Sequence, residues 1–134
     1  MSSLQDFMLE NTSLSEKEVK LPRFKSPFVI KAISEAENTA LRKKNTVKVK
    51  GSGGQLMPRT DSEKYMGELV ASCIVIPDLA DKKLQEHYGT LGSKVDTLRS
   101  MLLAGEFATI TNEIQSINGF DIELDELREE VKND

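Results

Sequence analysis

At 134 residues, with 38% hydrophobic and 30% charged side chains, the chain has the size and composition of one domain with a modest core. That composition excludes a wholly disordered chain, and no apolar run approaches the length of a bilayer span. The formal net charge is −4, but it is unevenly spread: residues 42–59 hold six Lys or Arg and no acid, whereas Phe120 to Asp134 holds seven Asp or Glu against Arg128 and Lys132. A single cysteine, Cys73, excludes an internal disulfide and fits a reducing compartment. The opening MSSLQDFMLEN has neither a basic n-region nor an apolar h-region, so no secretory signal is expected and the protein is expected in the cytoplasm.

Along the chain, Ser3 and Asp6 form a capping pair ahead of a short helix that puts Leu4, Phe7 and Met8 on one face. So short a helix is not stable alone in water and must dock on its own domain or on a partner. The polar stretch NTSLSEKEVK reads as a loop. Residues 1–20 are therefore expected to be an N-terminal arm, and 21–134 a single globular domain.

Phe28 to Ile33 is short and β-branched and predicts a strand. Ser34 and Glu37 form a capping box that opens a helix to Lys44, with Ala36, Ala40 and Leu41 inward. Its last turn carries Arg42, Lys43 and Lys44, which suit the negative end of the helix dipole. Thr46 to Lys50 alternates apolar and polar residues, Gly51 to Gly54 supplies a turn, and a short arm reaches Pro58. Residues 46–59 thus predict a projecting basic hairpin.

Thr60 to Glu63 predicts a helix start, and the apolar spacing from Tyr65 through Ile76 predicts one central helix ended by Pro77. Asp78 is expected to cap a short helix ending at Gly89, and Ser93 one with Val95, Leu98, Met101 and Leu102 inward. A further helix is predicted from Glu106 to Asn118, with Phe107, Ile110, Ile114 and Ile117 inward, and a last one after Asp121 with Leu124, Leu127 and Val131 on its apolar side. The expected fold class is α+β, mainly α: a small antiparallel β element (a strand near 28–33 and a hairpin near 46–58) followed by a bundle of about five helices.

Little in this pattern supports catalysis. GSGGQLMPRT lacks both the GKS/GKT ending of a P-loop and the GxGxxG spacing. His87 and Cys73 stand alone, without the spacing of a metal or nucleophile site, so no catalytic residue, metal or cofactor is expected. The basic 42–59 segment opens an alternative reading, a small nucleic-acid-binding regulator, but no aromatic residues interleave for base stacking.

The start SLQDFMLEN, the segment FVIKAISEAENTALRKK, the turn KVKGSGGQ, and then CIVIPDLADKKLQEHYG and LRSMLLAGEFATITNEIQSINGFD stand in an order that carries a resemblance. The chain resembles the XkdN-like tail assembly chaperones of contractile-tailed phages and prophages of Gram-positive bacteria. The resemblance implies an assembly factor rather than an enzyme. It would hold the tape measure protein, and tail tube subunits, during tail morphogenesis, and be absent from the finished virion. It also implies a longer, frameshifted form of the same protein as a partner. A head-to-tail homo-oligomer is compatible with the charge asymmetry, and no membrane partner is expected. The resemblance supplies no site residues. From the residues themselves, the partner-contact candidates are Leu4, Phe7 and Met8 on the arm, Lys48 and Lys50 on the hairpin, and Leu124 and Leu127 near the C-terminus.

Overall fold

The computed structural model describes residues 3–9 and 15–120. A single 3₁₀ turn over Leu4–Phe7 comes first; the Ser3 backbone N–H donates to Asp6 Oδ2 at 3.0 Å, as the capping pair predicts. Then follow β1 (Glu16–Val19), β2 (Phe28–Lys31), α1 (Glu35–Lys44), β3 (Thr46–Lys50), β4 (Leu56–Thr60), α2 (Ser62–Ser72), β5 (Ile74–Ile76), α3 (Lys82–Tyr88), α4 (Lys94–Met101) and α5 (Ala104–Ile117). The fold is α+β and mainly α, with two small antiparallel sheets.

The first sheet has the order β1-β2-β5, and two of its strands depart from the sequence-based expectation. β1 lies where a loop was expected. Its EKEV sequence buries only Val19, so no alternating apolar pattern announces it. It is a charged edge strand, held by its backbone ladder to β2 and by the ion pair of Lys17 Nζ with Glu113 Oε2 at 2.5 Å. β5 lies where the central helix was expected to continue. The helix stops at Ser72, with Cys73 as its C-cap, and Ile74–Ile76 pairs with β2 through Ile30↔Ile74 and Val29↔Ile76. Two effects favour the strand. Ile-Val-Ile is β-branched, and the free edge of β2 carries buried backbone groups that need partners.

The core lies between this sheet and the helices. Phe28 and Ile30 from β2 and Val19 from β1 meet Leu69, Val70 and Cys73 of α2 and its end, Leu98 and Met101 of α4, and Ile110 and Ile114 of α5. Ile30, Val70, Cys73, Leu98, Ile110 and Ile114 are wholly buried. The β1-β2-β5 sheet and the helices thus share one core.

Caps set the helix limits. Ser34 Oγ accepts from the Glu37 N–H, and Ser93 Oγ from the Asp96 N–H, as predicted. At two other starts the expected cap is displaced. Asp61 rather than Thr60 caps α2, and Asp81 rather than Asp78 caps α3, while Asp78 instead accepts from Ala80 N–H in the preceding turn. Gly89 ends α3 in the left-handed region at φ 66°. α1 also differs in its covered face: Ala36 and Ala40 are exposed, and Asn38 is the buried residue, its side chain meeting the Tyr65 hydroxyl. The expected helix after Asp121 lies outside the described residues.

Candidate functional site

Three surfaces collect the residues that sequence reasoning singled out and some that it did not. The first is the arm. Leu4 is 76% exposed, Phe7 74% and Met8 65%, and the adjacent Leu9 is 80% exposed. Among the described residues these four side chains form an exposed apolar patch along the arm. Leu9 was missed because the helical spacing of Leu4, Phe7 and Met8 drew attention to one face only.

The second surface is an apolar groove of about 560 Å³ where α2, α4 and α5 meet, lined by Met66, Leu102, Ala104 and Phe107, with Glu63 and Arg99 at its rim. Arg99 reaches the Glu63 backbone carbonyl at 3.3 Å and sits over the Phe107 ring. Leu103, beside the groove, is 61% exposed. The start of α5 is fixed there by Glu106, whose Oε1 accepts from the Leu103 N–H at 2.8 Å and from Arg23 Nη2 at 2.6 Å. Those hydrogen bonds hold the Glu106 carboxyl below the usual carboxylate range, Arg23 contributing most. Met66, Leu102 and Phe107 are all inward residues by periodicity. That Met66 and Phe107 are only half covered depends on how three helices diverge, which periodicity does not report.

The third surface is the basic hairpin. β3 and β4 pair in the register Thr46↔Thr60, Lys48↔Pro58 and Lys50↔Leu56. The turn uses Gly53 and Gly54 at φ 88° and 79°, a backbone that side-chain-bearing residues rarely adopt. The hairpin base is clamped by Asn45, which is buried. Its Nδ2 donates to Leu41 O at 2.8 Å and to Glu68 Oε2 at 2.6 Å, and its carbonyl accepts from the Asp61 N–H at 2.8 Å. Beyond this base the ribbon projects, and every residue from Ser52 to Arg59 is exposed.

Two of the six cations here are engaged locally. Lys44 Nζ lies 3.0 Å from Glu68 Oε1, and Arg42 Nη2 lies 2.9 Å from Glu35 Oε1. The Asn45 amide, with help from Lys44, holds the Glu68 carboxyl below its ordinary range; Glu35 is lowered chiefly by the Thr39 hydroxyl. Among the described residues, no carboxylate lies within ion-pair distance of Lys43, Lys48, Lys50 or Arg59. Between the ribbon and the end of α1 runs a groove of about 350 Å³, lined by Thr39, Arg42, Lys43, Val47, Lys48 and Pro58. Lys48 belongs to this groove; Lys50 stands further out on the same strand. Leu124 and Leu127 lie outside the described residues.

None of these surfaces assembles catalytic chemistry. Cys73 is wholly buried, and burial pushes its thiol pKa up; its sulfur accepts a long 3.6 Å contact from the Asn118 amide. His87 is exposed, and its ring stands edge-on to that of Tyr88. Among the described residues no group of three or more His, Cys, Asp or Glu is placed to hold a metal, and no helix is long and apolar enough to cross a membrane.

Among the described residues the domain combines a small shared α/β core with exposed apolar surfaces. The sequence model of the phage XkdN-like tail assembly chaperone family matches residues 4–132, and the chain belongs to that family. It is 30% identical to the phage-like element PBSX protein XkdN of Bacillus subtilis strain 168, over 95% of this chain and 92% of that one. It is 29% identical to YqbN of the same strain, over 95% of this chain and 91% of that protein. The crystal structure of YqbN superposes with a TM-score of 0.73 at 26% identity, covering 89% of this chain and 98% of the other. The tail assembly chaperone family is a non-enzymatic one.

Proposed function

We propose that this tail assembly chaperone acts by binding the tape measure protein in the host cytoplasm, and that it hands that protein on as tail tube subunits assemble. The observation that carries the reading is the uncovered apolar arm, Leu4 to Leu9, on a domain that also has an apolar groove at Met66, Leu102 and Phe107. A tape measure is a long helical protein whose apolar stripes need cover until the tube encloses them. Leu and Phe side chains on an arm, together with an apolar groove of about 560 Å³, would supply such cover in the helix-in-groove manner. Each fully covered Leu or Phe contributes about 2 kcal/mol, so three or four anchors are enough for a reversible complex. Reversibility is what a factor released from the assembling tail requires.

Co-expression with the tape measure protein encoded by the same phage element tests this. Deleting residues 1–10 should leave the circular dichroism spectrum and thermal midpoint of the chaperone unchanged and reduce the soluble tape measure protein recovered with it. Undiminished co-purification by the deletion variant would remove the arm from the mechanism.

A further inference from the structure

We propose that the β3 edge of the hairpin takes up an extended acidic segment of a partner protein as a third, antiparallel strand. This surface is separate from the arm and from the Met66–Leu102–Phe107 groove. Its geometry follows from the phase of the hairpin ladder. Asn45 O accepts from the Asp61 N–H at the base of the ribbon, and Gln55 O from the Gly51 N–H near its tip, each at 2.8 Å. Bonded and non-bonded pairs alternate along an antiparallel ladder, so Val47↔Arg59 and Val49↔Met57 are the pairs that bond each other. Thr46, Lys48 and Lys50 therefore turn N–H and C=O away from β4, and Leu56, Pro58 and Thr60 face outward on the other edge.

The two edges are not equivalent. Pro58 stands in the middle of the β4 edge and has no N–H to donate, so no strand pairs continuously there. The β3 edge keeps all its donors. Among the described residues nothing outside the hairpin bonds the backbone of Lys48 or Lys50, and both residues are exposed. A two-stranded ribbon is marginal by itself in water, and a third strand strengthens it.

Side chains decide what that strand must carry. Residues opposite one another in the ladder share a face, so Lys48 and Lys50 stand with Pro58 and Leu56, and Val47 and Val49 stand on the other face with Arg59 and Met57. An incoming strand alternates in the same way. Carboxylates opposite Lys48 and Lys50 would meet cations that have no ion-pair partner among the described residues. Apolar side chains opposite Val47 and Val49 would extend a patch in which Val47 is 59% and Met57 55% exposed. A second copy of β3 fits badly, because two antiparallel β3 strands in full overlap set Lys48 directly against Lys48. Nucleic acid is also the weaker fit. The ribbon has no aromatic side chain on which a base could stack, and a polyanion makes no use of the free edge.

Titration of the full-length chain with an acetylated, amidated peptide of alternating Glu and Val tests the pairing, with a Lys–Val peptide as control. The Glu–Val peptide should bind and slow hydrogen exchange at the Lys48 and Lys50 amides, and the Lys–Val peptide should do neither. In an antiparallel third strand the residues opposite Lys48 and Lys50 turn their N–H groups inward. Methylating the Glu amide nitrogens of the peptide should therefore abolish binding, while methylating the Val nitrogens should leave it intact. The double variant Lys48→Glu, Lys50→Glu should weaken the Glu–Val peptide roughly tenfold, with an unchanged circular dichroism spectrum. Failure of the Glu–Val peptide to bind would overturn the proposal, as would binding that survives methylation of the Glu nitrogens. Lys48 and Lys50 amides already protected in the free chain would overturn it too, because the edge would then be occupied. Random-sequence duplex DNA bound where the peptide is not would overturn it in favour of a polyanion site.

Discussion

Gly67 lies where α2 crosses α4, and replacing it with alanine sets two effects of opposite sign against each other. In a helix interior alanine is favoured over glycine by about 1 kcal/mol, because the unfolded glycine backbone has more freedom to lose. Against this, a Cβ at residue 67 would lie 2.9 Å from Arg99 Nη2 and 3.0 Å from Val95 Cγ1. The arginine is the lesser obstacle. Its guanidinium is at the end of a flexible chain, 40% exposed, and can swing away at the cost of its bond to the Glu63 carbonyl. The valine cannot give way so easily. A β-branched side chain in a helix has one strongly preferred rotamer, so relief requires α2 and α4 to separate by a few tenths of an ångström. Overpacking of this kind costs about 2 kcal/mol. The net expectation for Gly67→Ala is a loss of about 1 kcal/mol, or about 4 °C in Tm for a domain of this size. Urea unfolding followed by circular dichroism measures it, with an unchanged slope indicating that only stability moved. The same substitution in a Val95→Ala background, where the obstructing methyls are gone, should stabilise by about 1 kcal/mol. A Gly67→Ala protein more stable than the parent, or an equal effect in both backgrounds, would refute the claim that this helix crossing needs glycine.

Two further outcomes follow from the titratable groups. The Glu68 carboxyl is lowered in the folded state, so its contribution is fully present above the unfolded carboxylate value of about 4.3 and is lost as pH falls through the lower folded value. Glu68→Gln should therefore be less stable than the parent at pH 7, by about 1 kcal/mol, with the gap closing toward pH 3; parallel urea midpoints at both pH values would contradict the Asn45–Glu68–Lys44 assignment. Burial raises the Cys73 thiol pKa, so a chromophoric disulfide reagent at pH 8 should label the folded protein only as fast as the core opens, and immediate stoichiometric labelling would show that Cys73 is accessible.

The elements whose boundaries were legible are those closed by local chemistry. α1 begins where Ser34 caps it and ends beside three cations. The hairpin follows from alternation and four turn residues, and α4 from the Ser93 cap. The family resemblance, too, was carried by the order of such punctuation. The structure alone supplied β1 and β5. EKEV has no apolar alternation, and CIVI has a spacing as good for a helix as for a strand, so each became a strand because β2 had an edge to satisfy. The candidate surfaces divide in the same way. Apolar side chains on an arm too short to fold alone, and lysines on a glycine-turned ribbon, can be read from sequence, because isolation and charge are local properties. The rim of the Met66–Leu102–Phe107 groove, the exposure of Ala36 and Ala40, and the neighbourhood of Asn118 and Ile33 were decided by tertiary structure. Periodicity says which face of a helix is apolar; only the packing of other elements decides how much of that face is left uncovered, and what lies beside it.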